Sequence, residues 1–414
     1  MSEHPYLPRL AEARIEQLFA GLPAISIVGP RATGKTTIAR RLSRSVVQLD
    51  DPAEAAAFQA DADAALSALP EPVLLDEWQA VPSVLGAVKR AVDLGSGAGR
   101  FLLTGSVRAK FAGATWPGTG RVVDVRMYGL TMREILGRLS GEPFLDKLAR
   151  ADIDAFLMPA NPPDLVGYVE LALCGGFPDA VLGASADIRR AWLNGYLDQL
   201  LTRDPESLEE DRDPHRLKLY FEALALNTAG LAQSKTLYEA ARIDHKTASA
   251  YERLFINLLV LDILPAWTAN RLSRMTRTGK RYLVDTSLVS AALDLDGRAV
   301  LRDGDLLGRM IDTFVLAQIR PEVVLASFRS RLYHLRSRDA GHEIDLVAEL
   351  SGGDIVAVEI KSSAAPTRSD ARHLEWLRER LGDRFLAGAV LHTGPRPFPL
   401  SERIFALPIA SLWG

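Results

Sequence analysis

The segment Gly29–Thr37, GPRATGKTT, spaces two glycines and a lysine as a triphosphate requires. Gly29, Pro30, Arg31, Ala32, Thr33 and Gly34 form a turn whose successive backbone N–H groups curl around a β-phosphate, while the following helix points its positive end at the same anion. Lys35 reaches the β- and γ-phosphates, the Thr36 hydroxyl can ligate Mg2+, and Thr37 ends the segment. Further on, the apolar run Val73–Glu77 delivers two acids at its end, where ligands of open α/β sheets bind. Asp76 is expected to hold the Mg2+ water shell, and Glu77 to orient or deprotonate the water that attacks the γ-phosphate. Capping of a following helix is the other reading of these acids. A third run, Arg100–Ser106, places Thr104 and Ser106 where a γ-phosphate would be sensed. Arg108, Lys110 and Arg121, which follows Gly120, come next, and a guanidinium from this stretch could neutralise the transferred phosphoryl group, in its own site or a neighbour's; a solvated surface arginine is the other reading.

A second constellation lies near the other end. HEIDLVAEL, the turn GGD and IVAVEIKSS read as a hairpin, so Glu359 and Lys361, two apart, share a face beside Asp345. Two carboxylates with a lysine suit a phosphodiesterase using Mg2+ or Mn2+: Asp345 and Glu359 hold the metal, and Lys361 stabilises or helps deprotonate the attacking water. Asp312, in GRMIDTFVLAQI, is a further candidate metal ligand. The alternative is a charged sheet face on which Lys361 only neutralises the acids, worth about 1 kcal/mol at most. His342 has no partner at zinc-ligand spacing, and no Ser-His-Asp set can be argued from the order of residues.

Between these groups, SKTLYEAARI and DHKTASAYERLFINLLVLDIL read as two helices joined by a tight turn. Lys246, Thr247 and Ser249 lie near the start of the second, the end that meets base edges in helix-turn-helix complexes; His245 would contact phosphate or cap the helix. In NRLSRMTRTGKR, Arg271, Arg274, Arg277, Lys280 and Arg281 cluster without an acid, as a wing touching DNA phosphates would. A basic strip facing protein is the bland alternative.

These residues need strands and helices to hold them. Residues 1–137 alternate apolar strands with helices, as a P-loop α/β sheet would. Residues 138–211 are helical, broken at Asn161–Asp164 and by GGFP; 212–297 are expected to form the winged helix-turn-helix, and 298–414 a second α/β domain. The alanine-rich EAAAFQADADAALSAL reads as one or two amphipathic helices.

The ordered runs LDDP, LLDEWQAVPSVLGAVKRAVD, FLLTGS and RMYGLTMREI, then GGFPDAV, Tyr196, Arg203-Asp204, HEIDLV and VEIKSS, resemble prokaryotic AAA-type ATPases fused to a large uncharacterised C-terminal region. The likeness spans most of the chain and implies an ATPase core, a winged helix and a nuclease-like end. The order Asp345, hairpin, Glu359-x-Lys361 resembles the PD-(D/E)xK nuclease superfamily, a restriction-endonuclease-like α/β fold. The related fusions look as if they carry glutamate where this chain has Asp312, whose side chain is one methylene shorter.

Length and charge fit such a multidomain protein. The 414 residues exceed what one core organises, and 48% hydrophobic residues suffice for several. A single cysteine, Cys174, excludes an internal disulfide and a cysteine-based zinc site, and reads as inert packing in a reducing cytoplasm. No apolar run approaches membrane-spanning length. A net charge of −3 gives no global attraction to nucleic acid, so such contact must come from local patches. ATP, Mg2+ and DNA are the expected ligands, and a homo-oligomer or protein partner is compatible. The sequence supports an ATPase coupling nucleotide hydrolysis to DNA cleavage or remodelling. The alternatives are an ATP-switched DNA- or protein-binding regulator of the toxin-antitoxin or defence type, and a helicase or branch-migration motor.

Overall fold

The computed structural model describes residues 6–95, 97–106, 119–183, 185–206, 213–326, 330–337 and 341–414. Arg108, Lys110 and the side chain of Asp204 lie outside the described residues. The chain forms two compact units, one of residues 8–129 with 255–259 and the other of the remainder.

The first unit is built on five parallel strands in the order β2-β3-β4-β1-β5: β1 Ala24–Val28, β2 Ser45–Gln48, β3 Val73–Asp76, β4 Phe101–Gly105 and β5 Val122–Arg126. Strands β1, β3 and β4 are almost wholly buried, which explains why they read as continuous apolar runs and not as alternating ones. Val47, Leu75, Phe101 and Leu103 of the sheet pack with Phe58, Leu66, Trp78, Leu85 and Val88 from the flanking helices. The alanine-rich stretch becomes two helices, Pro52–Ala60 and Ala62–Ser67, each started by an aspartate side chain, Asp51 and Asp61, that accepts a backbone N–H. Because every strand runs the same way, all their C-terminal ends open on one edge.

The second unit takes in residues 130–137 and, apart from 255–259, the segments that follow residue 137. Helix Ser234–Ala240, a turn and helix His245–Asn257 precede an antiparallel pair, β6 Leu261–Leu264 and β7 Lys280–Leu283. The basic segment between β6 and β7 is expected to be a ribbon, yet Arg271–Arg274 turn into a short helix, started by the Asn270 side chain accepting from Leu272 and Ser273. A mixed six-stranded sheet follows, in the order β12-β13-β11-β10-β9-β8: β8 Arg331–Arg336, β9 Glu343–Glu349, β10 Ile355–Ile360, β11 Phe385–His392, β12 Phe398–Ser401 and β13 Ile404–Pro408. Strands β9 and β10 form the expected hairpin, and helix Arg372–Leu381 covers the sheet through Leu374 and Leu377. The chain after β6 continues along β8, with Trp267 N donating to His334 O at 2.6 Å and His334 N to Pro265 O at 3.0 Å. That pairing brings the β6–β7 hairpin to the acidic end of β9.

Helix Gly304–Glu322 runs through this unit, started by Asp303, with Leu307, Met310, Ile311, Phe314 and Ile319 buried at helical spacing. At its far end Gln318 accepts from Met132 N at 2.7 Å, while Glu322 accepts from Phe144 N at 2.7 Å and pairs with Arg133 at 2.5 Å. The MREI motif is thus a structural clasp. GGFP is another: Gly175 sits at φ +68°, and Gly176 N donates to the buried Asp285 carboxylate at 2.8 Å. Cys174 is free and half-buried, and burial pushes its thiol above the usual range, as inert packing requires. Among the described residues, no helix is long and apolar enough to cross a membrane.

Candidate functional site

The loop after β1 has the geometry of a phosphate cradle. Gly34 stands at φ +90° just ahead of helix Lys35–Leu42, and a Cβ on Gly29 would lie 2.2 Å from Met127 O, so glycine is required for the loop to pass β5 closely. Lys35 is 4% exposed, and its Nζ donates to Pro30 O at 2.7 Å. Burial pushes its pKa down to about 8 against the opposing pull of Glu77 and then Asp76. Thr33 is buried and donates through Oγ1 to Pro30 O at 2.9 Å, whereas Arg31, Ala32 and Thr37 face solvent.

Thr36 Oγ1 donates to Asp76 Oδ1 at 2.8 Å, joining the start of the helix to the end of β3 across 40 residues of sequence. Thr104, fully buried on β4, donates to the same carboxylate oxygen, so it positions Asp76. Glu77 is a non-glycine residue at φ +50°, a conformation that costs on the order of 1–3 kcal/mol and aims its side chain away from the strand. Its carboxylate accepts from Ser106 Oγ at 3.0 Å and from Gln79 Nε2. Acid, hydroxyl and lysine therefore converge at the C-terminal edge of the parallel sheet.

Two residues near this edge escaped the sequence reading. Arg9, 6% exposed, donates through NH1 to Thr33 O at 2.7 Å and through NH2 to Tyr128 O at 2.8 Å and Gly129 O at 3.0 Å, buttressing the loop from behind. Arg126 ends β5 in register with Val28, directly beside the loop. No local pattern marks either residue; only strand order reveals them. Arg121 needs a correction for its own site. It precedes Val122, which pairs with Ala24 at the opposite end of β1, about 13 Å from the loop's end of the strand at about 3.3 Å per residue. It instead pairs with Asp93 at 2.5 Å.

In the second unit, the structure brings Asp345, Glu359 and Lys361 together. Asp345 Oδ2 accepts from Ile360 N at 3.0 Å, and Lys361 Nζ lies 3.4 Å from Glu359 Oε2. Burial, with Asp345 beside it, holds the Glu359 carboxyl well above the usual range; burial and the same neighbour do so for Asp312. Asp312, Asp345 and Glu359 are the expected metal ligands; among the described residues no group of three or more His, Cys, Asp or Glu side chains is arranged to hold a metal ion. A further charged group joins these acids. Lys280, expected on a DNA-facing wing, is 2% exposed, with Nζ 2.8 Å from Asp345 Oδ1 and 3.4 Å from Glu343 Oε1.

The remaining basic residues divide. Arg281 is 6% exposed and pairs with Glu252 at 2.8 Å, so neither it nor Lys280 presents charge to a duplex. Arg274 is turned inward, pairing with Glu349 and lying over the Trp267 and Tyr333 rings. Arg277 spends one N–H on Arg336 O at 2.5 Å; Arg271 and Lys246 are exposed. Thr247 donates to Asp244, whose carboxylate also accepts Lys246 N at 2.8 Å, so the helix start already has its anion. His342 stacks on Trp376, ring centroids 4.1 Å apart, and its Nδ1 faces His373 Nδ1 at 3.2 Å.

Comparison with known proteins agrees with the coarse outline. Residues 22–136, most of them in the first unit, match the AAA domain family, which supports a P-loop ATPase domain there. Residues 166–299 and 307–412 match two domains of unknown function, DUF8612 and DUF4143, in keeping with an uncharacterised C-terminal region. Uncharacterised proteins of Mycobacterium tuberculosis and Mycobacterium bovis are each 29% identical over 406 residues, covering 97% of this chain and 83% of theirs. A Walker-type ATPase of Pyrococcus abyssi is similar over 70% of this chain and 96% of its own, at 14% identity and a TM-score of 0.40.

Proposed function

We propose that the protein is a Mg2+-dependent ATPase whose nucleotide state switches what its second unit binds. The observation that carries this reading is the 2.8 Å contact between Thr36 and Asp76 with Lys35 buried beside it, which sets together the hydroxyl, carboxylate and ammonium that a Mg2+-bound triphosphate needs. On binding ATP, the Lys35 ammonium exchanges the Pro30 carbonyl for phosphate oxygens. Thr36 and Asp76 would hold Mg2+, which supplies charge neutralisation on the β- and γ-phosphates. Glu77 orients a water whose oxygen bonds to the γ-phosphorus and accepts its proton, while the bond to the β–γ bridging oxygen breaks and leaves its electrons on ADP. The Ser106 and Gln79 contacts keep that carboxylate in place until substrate arrives. Lys35→Ala tests the site: nucleotide binding or turnover should be lost, and wild-type turnover would overturn the assignment.

A second reading is ATP-coupled DNA cleavage. It is favoured by the convergence of Asp345 with Glu359 and Lys361 on adjacent strands, the arrangement of a metal-dependent phosphodiesterase. Exposed Arg271 and Lys246 would supply the phosphate contacts. Cutting of DNA by purified protein with Mg2+ or Mn2+, abolished by Lys361→Ala, would establish this reading over the binding switch.

A further inference from the structure

We propose that Lys280 is the resident cation of the second unit's acidic centre, standing where a metal nuclease would carry its divalent ion. The centre then binds no Mg2+ or Mn2+ and joins the β6–β7 hairpin to the six-stranded sheet. Both oxygens of Asp345, the carboxylate a metal would need most, are engaged: Oδ1 by the Lys280 ammonium at 2.8 Å and Oδ2 by Ile360 N–H at 3.0 Å. A divalent ion bound to that carboxylate at about 2.0–2.1 Å would press against an ammonium already in contact with it.

The lysine is held by backbone and neighbours and cannot easily make way. Successive side chains of β7 point to opposite faces, so Lys280 enters the acidic centre while Arg281 is pinned on the other side by Glu252, Ser234 Oγ at 2.9 Å and Ala232 O at 3.2 Å. Arg281 O also accepts from Ala229 N at 2.7 Å. A Cβ on the preceding Gly279 would lie 2.4 Å from the Ile263 side chain and 2.8 Å from Leu264 O, so the strand has no room to slide. The centre thus contains a cation contributed from outside its own sheet. This inference concerns the second unit alone and stands whether or not the ATPase assignment does.

Titration of nucleotide-free, metal-stripped full-length protein with Mn2+, following loss of the free-ion electron paramagnetic resonance signal, tests it. Wild type and Asp345→Asn should take up the same number of ions per chain. Lys280→Met should gain one site, absent from Lys280→Met/Asp345→Asn, and its melting temperature should rise with Mn2+. Loss of one Mn2+ from wild type on Asp345→Asn would overturn the proposal, as would a folded Lys280→Met that gains no site. Should Lys280→Met fail to fold, the comparison of wild type with Asp345→Asn still decides the matter.

Discussion

The buried ammonium of Lys35 makes nucleotide affinity depend on pH in a calculable way. Without ligand its pKa lies at about 8, because burial outweighs the attraction of Glu77 and Asp76 and Arg31 opposes charging further. A bound triphosphate restores the pKa toward the ordinary lysine value, since phosphate oxygens replace lost solvation. Below pH 8 the free site is already charged and affinity is flat. Above it, binding must also take up a proton, so affinity falls by a factor of 1 + 10^(pH − 8): about twofold at pH 8 and about elevenfold, roughly 1.4 kcal/mol, at pH 9. The sign for folding is opposite. A lysine whose folded pKa is depressed binds its proton better when unfolded, so the nucleotide-free fold gains stability as pH rises through 8. The assay is calorimetric titration with a non-hydrolysable ATP analogue from about pH 7 to 9.5 in two buffers of different ionisation enthalpy, which counts the proton taken up. Lys35→Arg keeps the charge at all these values and should flatten the profile even if it binds more weakly. Constant wild-type affinity to pH 9.5, or the same slope in Lys35→Arg, would refute the reasoning.

Glu77→Gln should leave nucleotide binding intact and slow hydrolysis by about 10²–10⁴-fold, the usual contribution of a general base, in a steady-state phosphate-release assay; an unchanged rate would assign the water to another residue. Arg133→Met strips the partner from Glu322, whose side chain is 4% exposed, and should cost about 3–5 kcal/mol of second-unit stability by chemical denaturation. Gly175→Ala must place a Cβ at φ +68° within 2.2 Å of the Asp285 carboxylate, and should destabilise by at least about 1–3 kcal/mol in the same measurement, with ATP affinity unchanged.

The sequence alone determined the nucleotide loop and the buried strands, because both are local. A glycine spacing fixes backbone conformation over a few residues, and an apolar run of Val, Leu and Ile buries itself whatever its partner. It also determined that Asp345, Glu359 and Lys361 meet, since a hairpin with a short turn leaves its register little choice. Strand order decided the rest. The distance of Arg121 from its own phosphate site follows from the parallel pairing of β1 with β5, and Arg9 reaches the loop only through the packed fold. Most of all, tertiary structure decided the fate of the basic segment. A run of arginines and lysines without an acid reads as a solvated wing because the sequence cannot show the carboxylates waiting elsewhere: Asp345 for Lys280, Glu252 for Arg281 and Glu349 for Arg274. Charge pairing across 29 to 75 residues is set by how sheets and hairpins stack, and no window of neighbouring residues contains that information.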